Sequence, residues 1–205
     1  MYQRFIGGNS IKSNLSSVKG NVSRSINSEL DTLFAECGGA SINNGLYRVH
    51  TYSSGIAWSE ALQQYFSGIG KTILSFGYDW IGRQYAIVHG IDNILLMFDP
   101  ATFESFQIAG SVVDFHNRDL TEDRDATVSE NSFKTVLVNL KISELTFQQC
   151  IGYKVPLFLG GQDNYDNYEV VDMEVYWDIQ YQMYEQVKNL PPGTKISSVK
   201  FKSGN

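Results

Sequence analysis

Four short runs in the middle of the chain, 71–78, 83–88, 93–98 and 104–108, restrict its architecture more than any other feature. Each is rich in β-branched and aromatic residues, and the breaks between them carry turn residues such as His89-Gly90 and Asp99-Pro100. Breaks this short cannot hold a crossover helix, so the runs must pair as antiparallel neighbours. Amphipathic helical patterns lie on both sides of this block. The expectation is an α+β fold, a twisted antiparallel sheet of four to six strands flanked by helices.

The flanking patterns are specific enough to place. Asn27-Ser28 is an N-cap signal ahead of Leu30, Leu33 and Phe34, and Gly38-Gly39 stops that helix. Asn43-Asn44-Gly45 marks a turn before a short strand, Leu46 to His50. Trp58, Ala61, Leu62, Tyr65 and Phe66 recur at helical spacing, with Ser53 or Ser54 as the expected cap. After residue 110, segment 111–117 predicts two helical turns. Thr127-Val128-Ser129-Glu130 has the form of a capping box before Phe133, Val136, Leu137 and Leu140. A short helix is expected at 143–149, and 152–161 reads as extended, with Pro156 confining it to an edge or loop. Asp172 caps a last helix carrying Met173, Tyr176, Trp177 and Gln180 on one face, and 195–201 reads as a final strand.

Residues 1–25 differ in character. They hold six Ser, three Asn and three Gly, together with Arg4, Lys12, Lys19, Arg24 and no acid. They read as a flexible arm. The domain expectation is therefore an arm at 1–25, an α+β region at 26–110 and a mostly helical region at 111–205, the last two packing as one unit or as two.

Charge limits the partners. The chain is −6 overall and its first 25 residues carry +4, so the remainder carries −10. A folded part of that sign is a poor match for phosphate, which argues against direct nucleic-acid binding and for a basic protein partner. No run of about 18 apolar residues is present, so no membrane span is expected. The N-terminus lacks the apolar core of a secretory signal, and Cys37 and Cys150 lack CxxC spacing and read as buried thiols. These features place the chain in the cytoplasm.

The search for chemistry yields little. His50, His89 and His116 lie outside metal-ligand spacing, and no zinc, Walker, dinucleotide or serine-elbow motif occurs. His116-Asn117-Arg118-Asp119 places an imidazole near a carboxylate, a spacing common by chance. Asp163, Asp166 and Glu169 are oxygen donors, but not in an EF-hand pattern. The expectations are no catalytic residue, no metal ligand and no cofactor. Residues 155–187 contain no Lys or Arg, seven acids, five Tyr and Trp177. Within that stretch Asp163, Tyr165, Asp166, Tyr168 and Glu169 form the expected contact surface for a basic partner.

Three strings go beyond composition. They are Tyr78-Asp79-Trp80-Ile81-Gly82-Arg83-Gln84; Gly152-Tyr153-Lys154-Val155-Pro156-Leu157-Phe158-Leu159-Gly160-Gly161 with Asp172-Met173-Glu174-Val175-Tyr176-Trp177; and Asn43-Asn44-Gly45-Leu46-Tyr47-Arg48-Val49-His50. From about residue 28 to about 195 the chain resembles the Tdi-type immunity proteins of type VI secretion, with a GAD-like N-terminal region and a Tdi C-terminal region. The resemblance implies a protein without catalysis that binds a cognate effector, a DNA-cleaving toxin with a basic face, and blocks it. Tyr78, Asp79, Trp80, Arg83, Tyr153 and Trp177 then read as structural, with Asp79 and Arg83 pairing to pin a hairpin. A general adaptor and a small metal-dependent hydrolase remain as alternatives, and the oligomeric state is open.

Overall fold

The computed structural model describes residues 1–13, 27–90, 93–191, 193–196 and 198–201. In chain order the elements are α1 (Gln3–Gly8), β1 (Ile11–Ser13), α2 (Ser28–Cys37), β2 (Ala40–Ile42), β3 (Tyr47–Val49), α3 (Tyr52–Tyr65), β4 (Thr72–Asp79), β5 (Gln84–His89), β6 (Ile94–Asp99) and β7 (Glu104–Ile108). Then follow α4 (Val112–Asp114), a π-turn at Phe115–Asp119, α5 (Leu120–Glu122), α6 (Arg124–Val128), α7 (Glu130–Leu140), β8 (Gln149–Tyr153), β9 (Tyr168–Asp172) and α8 (Met173–Val187).

β1 to β7 form one open antiparallel sheet in which spatial order equals chain order. β8 and β9 make a separate hairpin. Alternation along the strands feeds two cores. On β5, Tyr85 and Ile87 enter one cluster while Ala86 and Val88 enter the other. The first face is covered by α1, α2 and the helices of 112–140, which supply Tyr2, Phe5, Leu33, Phe115, Leu120 and Phe133. The second is covered by α3 and α8, through Trp58, Leu62, Met173, Tyr176 and Trp177. A sheet buried on both faces has near-continuous apolar strands, which is why β4 and β5 lack a polar alternate. The hairpin straddles the division, sending Ile151 to the first cluster and Cys150 to the second. The first cluster takes residues from both sides of position 110, from Tyr47 and Tyr85 to Phe133 and Tyr168.

The sheet has seven strands rather than four to six because three-residue strands add to the N-terminal side. β1 lies inside the segment expected to be a flexible arm, and for residues 1–13 that expectation is corrected. Tyr2 and Phe5 are fully buried, Phe5 N–H donates to Asn117 Oδ1 at 3.1 Å and Tyr2 Oη donates to Glu29 O at 3.0 Å. Two aromatic anchors outweigh the surrounding Ser and Gly, since each buried ring contributes roughly 1.5–3 kcal/mol. The rest of the arm, 14–26, lies outside the described residues.

Local signals were mostly kept, with shifts at the caps. Asn27 caps α2 and Asp172 caps α8, as their side chains accept from N–H groups two to three residues on. α3 starts earlier than expected, because Thr51 rather than Ser53 or Ser54 is the cap and exchanges bonds with Ser54. The capping box at 127–130 does not form. Ser129 is left-handed (φ 54°), and Thr127 Oγ1 donates back to Asp123 O at 2.9 Å. No helix forms at 143–149, where Gln149 opens β8, and the described residues of 195–201 form no strand.

Candidate functional site

The turn between β4 and β5 gathers Asp79, Trp80 and Arg83, next to Tyr78 at the end of β4. Asp79 is fully buried, so its carboxylate needs every bond it can accept. Oδ1 accepts from Ile81 N–H at 3.1 Å and Arg83 N–H at 3.0 Å; Oδ2 accepts from Arg83 Nε at 2.5 Å and Tyr85 Oη at 3.0 Å. Burial opposes the charge on Arg83, but the field of Asp79 outweighs it, and the net shift of the guanidinium is upward. Gly82 (φ 81°) closes the turn, where a Cβ would also crowd Cys150 Sγ at 3.1 Å. The turn then holds the rest together. Trp80 Nε1 donates to Val128 O at 2.6 Å, Trp177 Nε1 donates to Gly82 O at 2.8 Å, and Ile151 N–H donates to Trp80 O at 2.7 Å.

Sequence reading missed the centre of this arrangement. Arg48 is fully buried, lies over the Tyr78 ring at 4.5 Å, and donates to Thr146 O, Gln149 O and Asp79 O. A charged residue inside the run Leu46-Tyr47-Arg48-Val49 was the available signal. Its role is to satisfy carbonyls of the segment entering β8, which a Lys point charge would do less completely.

The expected contact surface divides. Asp163 Oδ1 accepts from Tyr153 Oη at 2.9 Å and from Tyr168 Oη. Tyr168 is 9% exposed and packs edge-on to Tyr153, so the expectation of an exposed Tyr168 is corrected: a phenol whose hydroxyl is taken by Asp163 can bury its ring. Tyr165, Asp166 and Glu169 remain exposed. Asn167, not foreseen, fixes the loop by bonding Val155 N–H at 2.8 Å, Val155 O at 2.9 Å and Gln162 O at 2.9 Å.

His116 and Asp119 do not form an acid–base pair. His116 is fully buried among Tyr2, Phe5, Tyr47, Phe76 and Phe115; its Nδ1 meets Val112 O at 2.8 Å and its Nε2 meets Tyr47 Oη at 3.2 Å. Asp119 instead accepts from Arg118 Nε at 2.7 Å. His50 is equally enclosed, between Gln84 Oε1 at 2.9 Å and Ser54 Oγ at 3.1 Å. Burial pushes both imidazoles down to about 4. Cys37 and Cys150 are buried free thiols, and burial raises both. Among the described residues no three His, Cys, Asp or Glu side chains converge as a metal site would require. No described helix is long and apolar enough to cross a membrane.

Set against known families, this arrangement finds a match over its second half. Residues 113–184 match the family model of the T6SS immunity protein Tdi1, C-terminal. The match supports a Tdi-type immunity protein of type VI secretion, one that binds a cognate effector. It runs from α4 through the β8–β9 hairpin into α8, and it takes in Val128, Ile151, Tyr153, Asp163 and Trp177 of the contacts above. No curated protein matches the sequence. The crystal structure of Atu4351 from Agrobacterium tumefaciens is similar in fold, with a TM-score of 0.57 at 13% identity over 89% of each chain.

Proposed function

We propose that this protein is a cytoplasmic immunity protein that binds a cognate type VI secretion effector, a DNA-cleaving toxin, and occludes its active or DNA-binding face without catalysis of its own. The match of 113–184 to the Tdi1 C-terminal family carries the reading. Charge supports the nuclease part. A DNA-cleaving face must attract phosphate and is therefore basic, and residues 155–187 offer it acids without a single Lys or Arg. In this reading residues 26–110 are the GAD-like region and 111–205 the Tdi region. Asp163, Tyr165, Asp166 and Glu169 make contact, with Tyr168 beneath them as the ring that holds Asp163 in place.

The test is co-expression with the product of the neighbouring gene. Growth rescue, intact chromosomal DNA and a stable complex through gel filtration are expected. Cells that die with their DNA degraded despite full expression of this protein would overturn the reading; rescue with DNA that was never attacked would remove the nuclease part alone.

A further inference from the structure

The two covered faces of the sheet treat charge differently. On the first, among the described residues, five carboxylates are neutralised in ion pairs, Glu36 by the N-terminal amine, Glu122 by Arg4, Glu144 by Lys12, Asp119 by Arg118, and Glu130 by both Arg124 and Lys134, while Glu29, Asp31, Asp114, Asp123 and Asp125 form none. On the second, among the described residues, Glu60, Asp172, Glu174 and Asp178 form no ion pair, and the pair that α8 does make, Lys188–Glu185, lies at its far end.

The cover of the second face is open along one seam. Two adjoining clefts, of about 220 and 240 Å³, lie along the seam of α3 and α8 and share Trp58 and Glu174 as walls. One is floored by Ala57, Ala61 and Tyr65; the other runs past Phe147 and Met173 to Asp172. Small residues at 57 and 61 let the groove approach the Trp58 and Tyr65 rings. Glu174 lines both clefts and Asp178 follows it one turn on along α8, and burial, followed by the fields of Asp178, Tyr181 and Glu174, pushes the Tyr65 phenol up to about 12.

We propose that this α3–α8 groove receives an arginine-bearing segment of the effector, with the guanidinium against the Tyr65 and Trp58 rings and paired to Glu174 and Asp178. An aromatic floor beside unpaired carboxylates suits a planar cation, because stacking and charge-assisted hydrogen bonds act on the same group. The groove is distinct from the 163–169 loop. It is built from α8, inside the matched segment, and α3, outside it. The inference rests on the effector-binding reading above.

The probe is the neighbouring gene's product, purified and titrated against this protein and its variants at near-physiological salt. Glu174→Lys with Asp178→Lys should weaken binding on the order of a hundredfold, with much of the loss on the association rate at low salt. Ala57→Phe, which fills the groove without changing charge, should cost about tenfold. Each variant is first checked for an unchanged thermal transition, and Glu174→Gln with Asp178→Gln serves if the reversal alters the fold. Affinity within about threefold of wild type for both the charge and the filling variant overturns the groove. If Asp166→Lys with Glu169→Lys then abolishes binding, the immunity reading stands and only the groove falls. No complex with the unaltered protein takes down the reading and the groove together.

Discussion

The first face of the sheet, covered by α1, α2 and the helices of 112–140, contrasts with the second, where two helices, α3 and α8, meet along a grooved seam. The first buries Phe5, Phe115 and Phe133 and pairs five of its acids with nearby cations. The second buries Trp58 and Trp177 equally well but, among the described residues, pairs only Glu185 of its acids, at the far end of α8. Burial alone therefore does not distinguish a face that closes the fold from one free to contact a partner. Unpaired acids beside a groove add a second criterion, because acids of one sign create a field that a partner senses at a distance.

The comparison predicts what each part carries. The largest effect belongs to the turn that both faces share. Asp79→Ala leaves Arg83 charged and enclosed, and should cost about 3–5 kcal/mol in urea denaturation; a loss below about 1 kcal/mol would mean the turn is not a joint for both layers. Next is acid. His50 and His116 are held near 4, while the unfolded chain takes up protons near 6.5. Between those values the unfolded state binds protons that the folded state refuses, so stability falls as pH drops from 6.5 to 4 and is flat above. The slope should be about 1.4 kcal/mol per pH unit for each histidine. His50→Gln and His116→Gln should each remove about half of it, and a slope untouched by either variant would place the acid sensitivity elsewhere. The smallest effect addresses surface charge. Glu130→Gln, on the first face, should cost about 1 kcal/mol, while Glu174→Gln, on the second, should stay within about 0.5 kcal/mol. Equal losses would erase the distinction between a paired and an unpaired acid.

What could be read from the sequence follows from how local each cause is. The four central strands, the α3 stripe and the Asn27 and Asp172 caps are set by neighbours a few residues away, and all are present in the fold. Tyr2 and Phe5 looked like part of a polar leader because their partners, His116 and Asn117, lie more than 100 residues on. The acids of 163–169 were visible. That Asp163 serves two phenols was not, since only the β8–β9 register brings Tyr153 opposite Tyr168. Arg48 was legible as an oddity but not as a link, because two of the three carbonyls it serves, Thr146 O and Gln149 O, lie about 100 residues later. The seam between α3 and α8 depends on two helices that are far apart in the chain and that no local pattern relates.

The strand order has a kinetic consequence. Each strand of the sheet lies beside its neighbour in the chain, and the β4–β7 hairpins, joined by short turns, can form early with little loop closure to overcome. Docking α1 against the 115–121 segment closes a loop of more than 100 residues and belongs late in folding. Phe5→Ala should therefore quicken unfolding in stopped-flow traces and leave the refolding rate nearly unchanged. Slowed refolding would put α1 in the nucleus. The N-terminal helix is, on this view, a latch that sets how long the native state lasts rather than how fast it is reached.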